Sequence, residues 1–273
     1  MRKWEYAIIA AVTTLFLWFA VSWTYAAGLA DLNRQIDETN FLVNRGCSGT
    51  LLDRTEGLIL TAAHCIDQQY ETVEREEVAK DGTITRREVR ITVPGSVTKL
   101  YFDGSGVETR EVKYRMEVVG RDSGNDLALI RTLDSLGQYG AISLISCTPP
   151  LRGEEVYIVG NPMGDLYSSV NKGIVSSLNR TYETIGWANG VTGNRNNALM
   201  QISGGVIGGN SGGSVYNTDN EVIGVPVVAH QTNEVIAFAV PQPAIVKFLK
   251  STLTTVPMRK AYNRMMGRCD TAE

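Results

Sequence analysis

The distribution of apolar and polar residues divides the chain early. From Tyr6 to Ala30 no charged residue occurs, and the stretch follows a short, slightly basic start, Met1-Arg2-Lys3. About 20 apolar residues suffice to cross a bilayer, so residues 6–30 read as a secretory signal or a retained membrane anchor. Ala26-Ala27-Gly28-Leu29-Ala30 would suit a signal peptidase, whereas Trp18, Trp23 and Tyr25 would suit the interfacial belt of a membrane helix. The pattern leaves both open. Either way the basic start predicts a cytoplasmic N-terminus and export of the chain beyond residue 30.

Beyond Ala30 the apolar residues come in short runs broken by Gly, Asn, Asp and Pro. Residues 31–45 are polar and read as a stalk or a short helix. Strands are expected at 47–53 and 57–61, then a hairpin of 99–102 with 108–119 about the turn Asp103-Gly104-Ser105-Gly106, then 126–131 and 142–145. Pro149-Pro150 interrupts the sheet and marks a linker. Six further strands come after it, at 155–159, 166–178, 198–202, 213–216, 222–228 and 236–239. The stretch 243–253 places Ile245, Val246, Phe248 and Leu249 on one helical face, and the tail after Pro257 reads as basic and weakly structured. Many short strands with Gly-rich turns mean an all-β sandwich or barrel. Between 71 and 90 acids and bases interleave around Asp81-Gly82, a hairpin signal, so an exposed β-hairpin is expected there, inserted over about 67–96. It reads either as a solvated excursion or as a lid or substrate-recruiting arm.

Composition adds limits. The 273 residues carry a net charge of −3 and are 43% hydrophobic, enough for a sizeable core and too near neutral to suggest a nucleic-acid partner. The four cysteines, Cys47, Cys65, Cys147 and Cys269, lack the paired spacing of a metal site, so no metal or other cofactor is expected.

Candidate chemistry centres on Gly208-Gly209-Asn210-Ser211-Gly212-Gly213. Glycines let backbone N–H groups converge beside the serine hydroxyl, which is what acyl transfer needs: a nucleophile and a hole for the oxyanion it creates. A serine needs a base, usually a histidine oriented by a carboxylate. Of the two histidines, His64 ends the apolar run Ile59-Leu60-Thr61-Ala62-Ala63, and Asp126 stands at the mouth of the apolar run 127–130. The order His64, Asp126, Ser211 is one in which such triads occur.

These blocks carry a resemblance. Cys47-Ser48-Gly49-Thr50-Leu51-Leu52, Leu60-Thr61-Ala62-Ala63-His64-Cys65, Asn125-Asp126-Leu127-Ala128-Leu129 and Gly209-Asn210-Ser211-Gly212-Gly213 resemble the signature blocks of trypsin/chymotrypsin-like serine proteases. Val159-Gly160-Asn161-Pro162-Met163-Gly164, Asn171-Lys172-Gly173-Ile174-Val175-Ser176 and Ala237-Phe238-Ala239-Val240-Pro241 are similar to the bacterial HtrA branch. The similarity runs from about Gly46 to Leu253, and the residues beyond Leu253 are too few for a PDZ domain, so a branch member without one is expected.

The resemblance implies two six-stranded Greek-key barrels, 46–148 and 149–255, with the active site in the cleft between them. The N-terminal hydrophobic helix, a short C-terminal helix and a tail over 256–273 lie outside them. It implies a serine endopeptidase acting on polypeptides, with His64, Asp126 and Ser211 catalytic and the N–H groups of Gly209 and Ser211 as oxyanion hole. Gly205, Val206 and Ile207, with Val227, Val228, Ala229 and Ala237, would form a specificity pocket with no acid, which favours a small or medium apolar residue before the scissile bond. Asn210 stands where the digestive enzymes have the aspartate that pairs with a new N-terminus, so no cleavage-dependent switch of that kind is expected. The resemblance also implies a bridge Cys47–Cys65, with Cys147–Cys269 as the accompanying pair, and hence an extracytoplasmic, oxidising location. Four free thiols remain the alternative. A non-catalytic module that keeps the protease fold, and a serine esterase, are the rival readings of function.

Overall fold

The computed structural model describes residues 28–44, 46–67, 69–78, 84–93, 95–103, 105, 107–137, 140–186, 196–230, 233–267 and 269. The charge-free stretch 6–30 therefore lies almost wholly outside the described residues. Among those described, no helix is long and apolar enough to cross a membrane.

Two closed barrels dominate. The first runs in the order β1 (Asn40–Val43), β2 (Cys47–Asp53), β3 (Leu58–Ala62), β8 (Leu127–Thr132), β7 (Glu108–Asp122) and β6 (Ser96–Phe102). The second runs β10 (Ser169–Thr181), β11 (Ala198–Ser203), β14 (Asn233–Pro241), β13 (Val222–His230), β12 (Ser214–Tyr216) and β9 (Glu155–Gly160). A separate two-stranded ribbon, β4 (Gln69–Val78) with β5 (Ile84–Val93), occupies the expected insertion. Its register sets Glu74 opposite Glu88 and Arg75 opposite Arg87. Like charges directly opposite weaken a two-stranded sheet.

The strands at the centre of the first barrel are buried on both faces, whereas β7 and β10 expose much of their length. Every residue of β3 is buried, and so is β8 apart from Arg131. Three expectations need correction. The sixth strand of the first barrel is not 142–145, which contributes only a single parallel bridge from Ile145 to Val222. It is β1, inside the stretch read as a stalk or a short helix, and it closes the ring by pairing with both β2 and β6. Nor does the preceding segment stand off the body. Residues 28–39 form a helix, α1, that buries Leu32 and Ile36 one turn apart. Gln35 Nε2 donates to Ser143 Oγ (3.3 Å) and to the Asn220 carbonyl (3.0 Å), and Ser143 Oγ in turn bonds Tyr216 OH (2.7 Å).

After the second barrel, α2 (Gln242–Thr252) packs Ile245, Phe248 and Leu249 inward, as its 3–4 spacing predicts. The tail is the third correction. It forms α3 (Val256–Met266), which buries Ala261, Met265 and Met266. Arg264 lays its guanidinium on the buried Asp53 carboxylate, with Nε to Oδ2 at 2.5 Å and Nη2 to Oδ1 at 3.0 Å. The bridge Cys147–Cys269 fastens the end of this helix to the linker, and Cys47–Cys65 joins β2 to the turn that carries His64.

Candidate active site

His64 sits in a 3-10 turn, Ala63–Ile66, that follows β3. β3 pairs with β8 so that Ala62 faces Leu127, which brings Asp126 beside the turn. The chain there is locked by three bonds. Ala63 N–H donates to the Asp126 carbonyl (3.0 Å), His64 N–H to Asp126 Oδ1 (2.9 Å), and the His64 ring Nδ1 lies 2.7 Å from Asp126 Oδ2. An ionised carboxylate only accepts, so Nδ1 carries the proton in the neutral ring and Nε2 is left as the basic nitrogen. Asp126 is buried and adopts φ +56°, a left-handed backbone that Asp tolerates better than most residues. Beneath it Tyr182 is fully buried, its phenol pKa pushed up first by burial and then by the charges of Asp126 and Asp122, so it is neutral.

Burial alone would hold the His64 imidazolium pKa down. The Asp126 hydrogen bond and charge, with a smaller contribution from Asp67, outweigh it and raise the value above 6.5.

Ser211 reaches this pair from the second barrel. Its carbonyl accepts from Ser48 N–H (2.8 Å), and Cys65 Sγ lies 3.6 Å from the same oxygen. Gly212 comes next at φ +81°, where a Cβ would lie 2.2 Å from Thr61 Oγ1 and 2.4 Å from the Ser48 carbonyl. Only glycine lets the serine segment rest so closely on β2 and β3. Of the three expected catalytic side chains, His64 and Asp126 are hydrogen-bonded to each other. Ser211 is brought to them by its backbone, and no hydrogen bond joins its hydroxyl to the imidazole among the described residues.

The backbone of the turn around Ser211 is largely paired. Gly208 O accepts from Met163 N–H (2.6 Å), Gly209 O from Ser48 Oγ (2.7 Å) and Ser211 O from Ser48 N–H, while Asn210 O accepts from Gly213 N–H (3.0 Å) within the turn. In a trans peptide the N–H points opposite to the C=O. The N–H groups of Gly209 and Ser211 therefore lie opposite Gly208 O and Asn210 O, and neither donates to a backbone carbonyl among the described residues, whereas Asn210 N–H donates to the Ile207 carbonyl (3.2 Å) and Gly212 N–H to the Pro226 carbonyl (2.9 Å). Gly209 reaches this geometry at φ +100°, and Met163, its latch, is itself left-handed at φ +57°. Together these N–H groups can hold a negative oxygen beside a serine next to a His–Asp couple.

The expected pocket residues divide. Val206, Val227 and Ala237 are buried, while Gly205 is exposed and a Cβ there would meet open space. Gly205 is held by Asn171 Nδ2 at its carbonyl (2.7 Å). Ile207 is half-buried. Val228 and Ala229 lie in β13 opposite Phe238 and Ala237. Cys47, His64 and Cys65 crowd within 4.8 Å of one another, but both sulfurs are spent in the disulfide and offer no thiolate to a metal ion.

Ser48, Asn161 and Met163 were not singled out by the sequence argument. The single available signal was their membership of two of the matched blocks.

Comparison with known proteins bears on the same region. Residues 47–225 match the family model described as a trypsin-like peptidase domain. The chain is 32% identical over 144 residues to the HtrA-like serine protease of Staphylococcus aureus strain USA300, and 33% over 144 residues to that of the bovine strain RF122 / ET3-1. Each alignment covers 50% of this chain but spans only 18% of the relative's length. Among solved structures, the serine endoprotease from Yersinia pestis superposes with a TM-score of 0.54 at 22% identity, over 84% of this chain and 66% of that one.

Proposed function

The chain belongs to the trypsin-like peptidase domain family, and on that premise we propose that it is a serine endopeptidase working through an acyl-enzyme. Ser211 Oγ attacks the substrate carbonyl carbon as His64 Nε2 takes its proton. The oxyanion that forms is held by the N–H groups of Gly209 and Ser211. His64 then gives the proton to the leaving amine, and water repeats the sequence to release the acyl group. Asp126 keeps the ring in the required tautomer and stabilises the imidazolium. The observation that supports this reading is the pair of N–H groups, Gly209 and Ser211, that donate to no backbone carbonyl among the described residues, next to the His64–Asp126 couple.

The finer claims are also proposals. The apolar character of Val206, Val227 and Ala237, with an open Gly205 and no acid among the expected pocket residues, supports a small or medium apolar side chain before the scissile bond. The Cys47–Cys65 and Cys147–Cys269 bridges suit an oxidising compartment, so the catalytic part works outside the cytoplasm, either secreted or tethered through residues 6–30. Unfolded or partly folded polypeptides are the natural substrate class.

A fluorophosphonate probe tests the chemistry. It should label the folded wild-type chain once, at Ser211, and should not label Ser211→Ala. Folded protein that resists the probe would favour a non-catalytic module with a protease fold. Labelling with hydrolysis of a p-nitrophenyl ester but not of casein would favour an esterase.

The pH profile gives a second expectation. The base must be neutral, and its folded-state pKa is raised above 6.5. The acid limb of kcat/KM should therefore have its midpoint above 6.5, where a solvated histidine would titrate. Stability carries the opposite sign. The charged His64–Asp126 pair contributes fully below the unfolded-state pKa and loses that contribution as pH rises through the folded value. An acid limb centred below 6.5, measured with a substrate that does not itself titrate, would count against His64 as the base.

A further inference from the structure

We propose that Ser48 is a positioning residue for the oxyanion hole, acting through its side-chain hydroxyl. The inference rests on the serine-endopeptidase reading and adds to it a residue that lies on the opposite barrel from the nucleophile.

The hole is built on three consecutive peptides. The first, Gly208–Gly209, supplies the Gly209 N–H. The third, Asn210–Ser211, supplies the Ser211 N–H. The second, Gly209–Asn210, supplies neither, yet its plane sets the angle between the other two. Its N–H is spent within the turn, on the Ile207 carbonyl at 3.2 Å. Its carbonyl is held by a side chain, with Ser48 Oγ donating to Gly209 O at 2.7 Å.

The same hydroxyl oxygen accepts from Asn161 N–H (2.7 Å) and from Asn161 Nδ2 (3.2 Å). One proton and two lone pairs are thereby all used. Asn161 opens the segment that leads to Met163, whose N–H holds Gly208 O. It is itself fixed by the first barrel, with Asn40 Nδ2 donating to its Oδ1 (2.7 Å) and its own Nδ2 donating to the Phe41 carbonyl (2.9 Å). A single buried oxygen therefore holds the middle peptide directly and the first peptide through Asn161. Ser48 N–H holds the Ser211 carbonyl as well, but any residue other than proline at position 48 would keep that backbone bond. What the side chain adds is the hydroxyl, which threonine shares and alanine and valine lack.

Without the hydroxyl, Gly209 O is an acceptor with no partner among the described residues. The middle peptide gains by rotating to find one, and the two donors lose their common aim. A shift of about 1 Å at such a site can cost on the order of 10²-fold in rate. Substrate binding outside the hole would be untouched, so the loss belongs in kcat.

The test uses the full chain and an apolar-P1 peptide substrate. Ser48→Ala should lower kcat roughly 10- to 100-fold with KM nearly unchanged, and should weaken a peptide aldehyde, which forms a tetrahedral adduct with Ser211, by a similar factor. Ser48→Thr and Ser48→Val separate hydroxyl from shape, because their side chains have nearly the same volume. Thr should retain most of kcat and Val should lose it, and this pair decides the matter if Ser48→Ala does not fold. Wild-type turnover that Ser211→Ala abolishes upholds the endopeptidase reading. In that setting, wild-type kcat in a folded Ser48→Ala, or equal kcat in the Thr and Val variants, overturns the Ser48 assignment alone.

Discussion

Replacing Asp126 by asparagine should lower kcat about 10⁴-fold while leaving the fold intact. The reason lies in which of its two oxygens does what. Asp126 Oδ1 accepts the backbone N–H of His64 and Oδ2 accepts the ring Nδ1–H. An amide has one acceptor and one donor where the carboxylate had two acceptors. The backbone N–H of His64 is an obligatory donor, so the amide oxygen must turn towards it. The amide NH₂ then faces Nδ1, which has to become the acceptor. The ring proton moves to Nε2, and an Nε2–H cannot take a proton from Ser211. The variant keeps its shape and its substrate contacts but holds its base in the wrong tautomer. A 10⁴-fold loss corresponds to about 5.4 kcal/mol of transition-state stabilisation. Steady-state kinetics on a variant with a wild-type melting profile checks this. A loss below about 10-fold would mean that His64 does not act as the general base.

The parts of this machinery differ in how far the sequence exposes them. His64, Asp126 and Ser211 stand at the ends of apolar runs or inside a glycine turn, and their order along the chain together with the matched blocks nominates them. The supports are not so marked. Gln35 finds Ser143 and Asn220, Asn40 finds Asn161, and Arg264 finds Asp53 across 211 positions. Each looks like an ordinary solvated polar side chain until the fold supplies its partner. That is why residues 31–45 read as a stalk or a short helix and the tail as weakly ordered. Asp31, Asn33, Arg34 and Asp37 are exposed, but Gln35, Glu38 and Asn40 between and after them bond to the body. The apolar stretch 142–145 misled in the other direction. It has the composition of a strand, but β1 and β6 already close the ring, and no edge remains to pair with it. Ser48 was hidden for a related reason: a serine in a strand has no local signature of the carbonyl it holds 161 positions away.

The same geometry makes Gly209 the least replaceable residue of the hole. An alanine Cβ there would lie 2.3 Å from the Asn161 carbonyl oxygen, 2.6 Å from Met163 N and 3.0 Å from Gly164 N. All three are backbone atoms, so no side-chain rotation relieves the contact. The φ of +100° is independently unfavourable for any residue with a Cβ. The Gly208–Gly209 peptide must therefore move, the Met163 N–H bond to Gly208 O must break, and the Gly209 N–H turns out of the hole. Losing one such donor costs about 10²–10³ in kcat, or roughly 2.7–4 kcal/mol. Gly209→Ala should show that loss with little change in KM, and fluorophosphonate labelling of Ser211 should slow in parallel. Gly208→Ala is the matched control. It adds the same methyl one residue earlier, at ordinary φ and with nothing within 4 Å of the new Cβ, so its melting temperature should stay near that of the wild type. The two variants differ in which peptide the new methyl disturbs, not in chemistry. If Gly209→Ala retained wild-type kcat, the Gly209 N–H could not be an oxyanion donor. Stabilisation would then fall to Ser211 N–H alone, and the role of Ser48 in aligning two donors would lose its object.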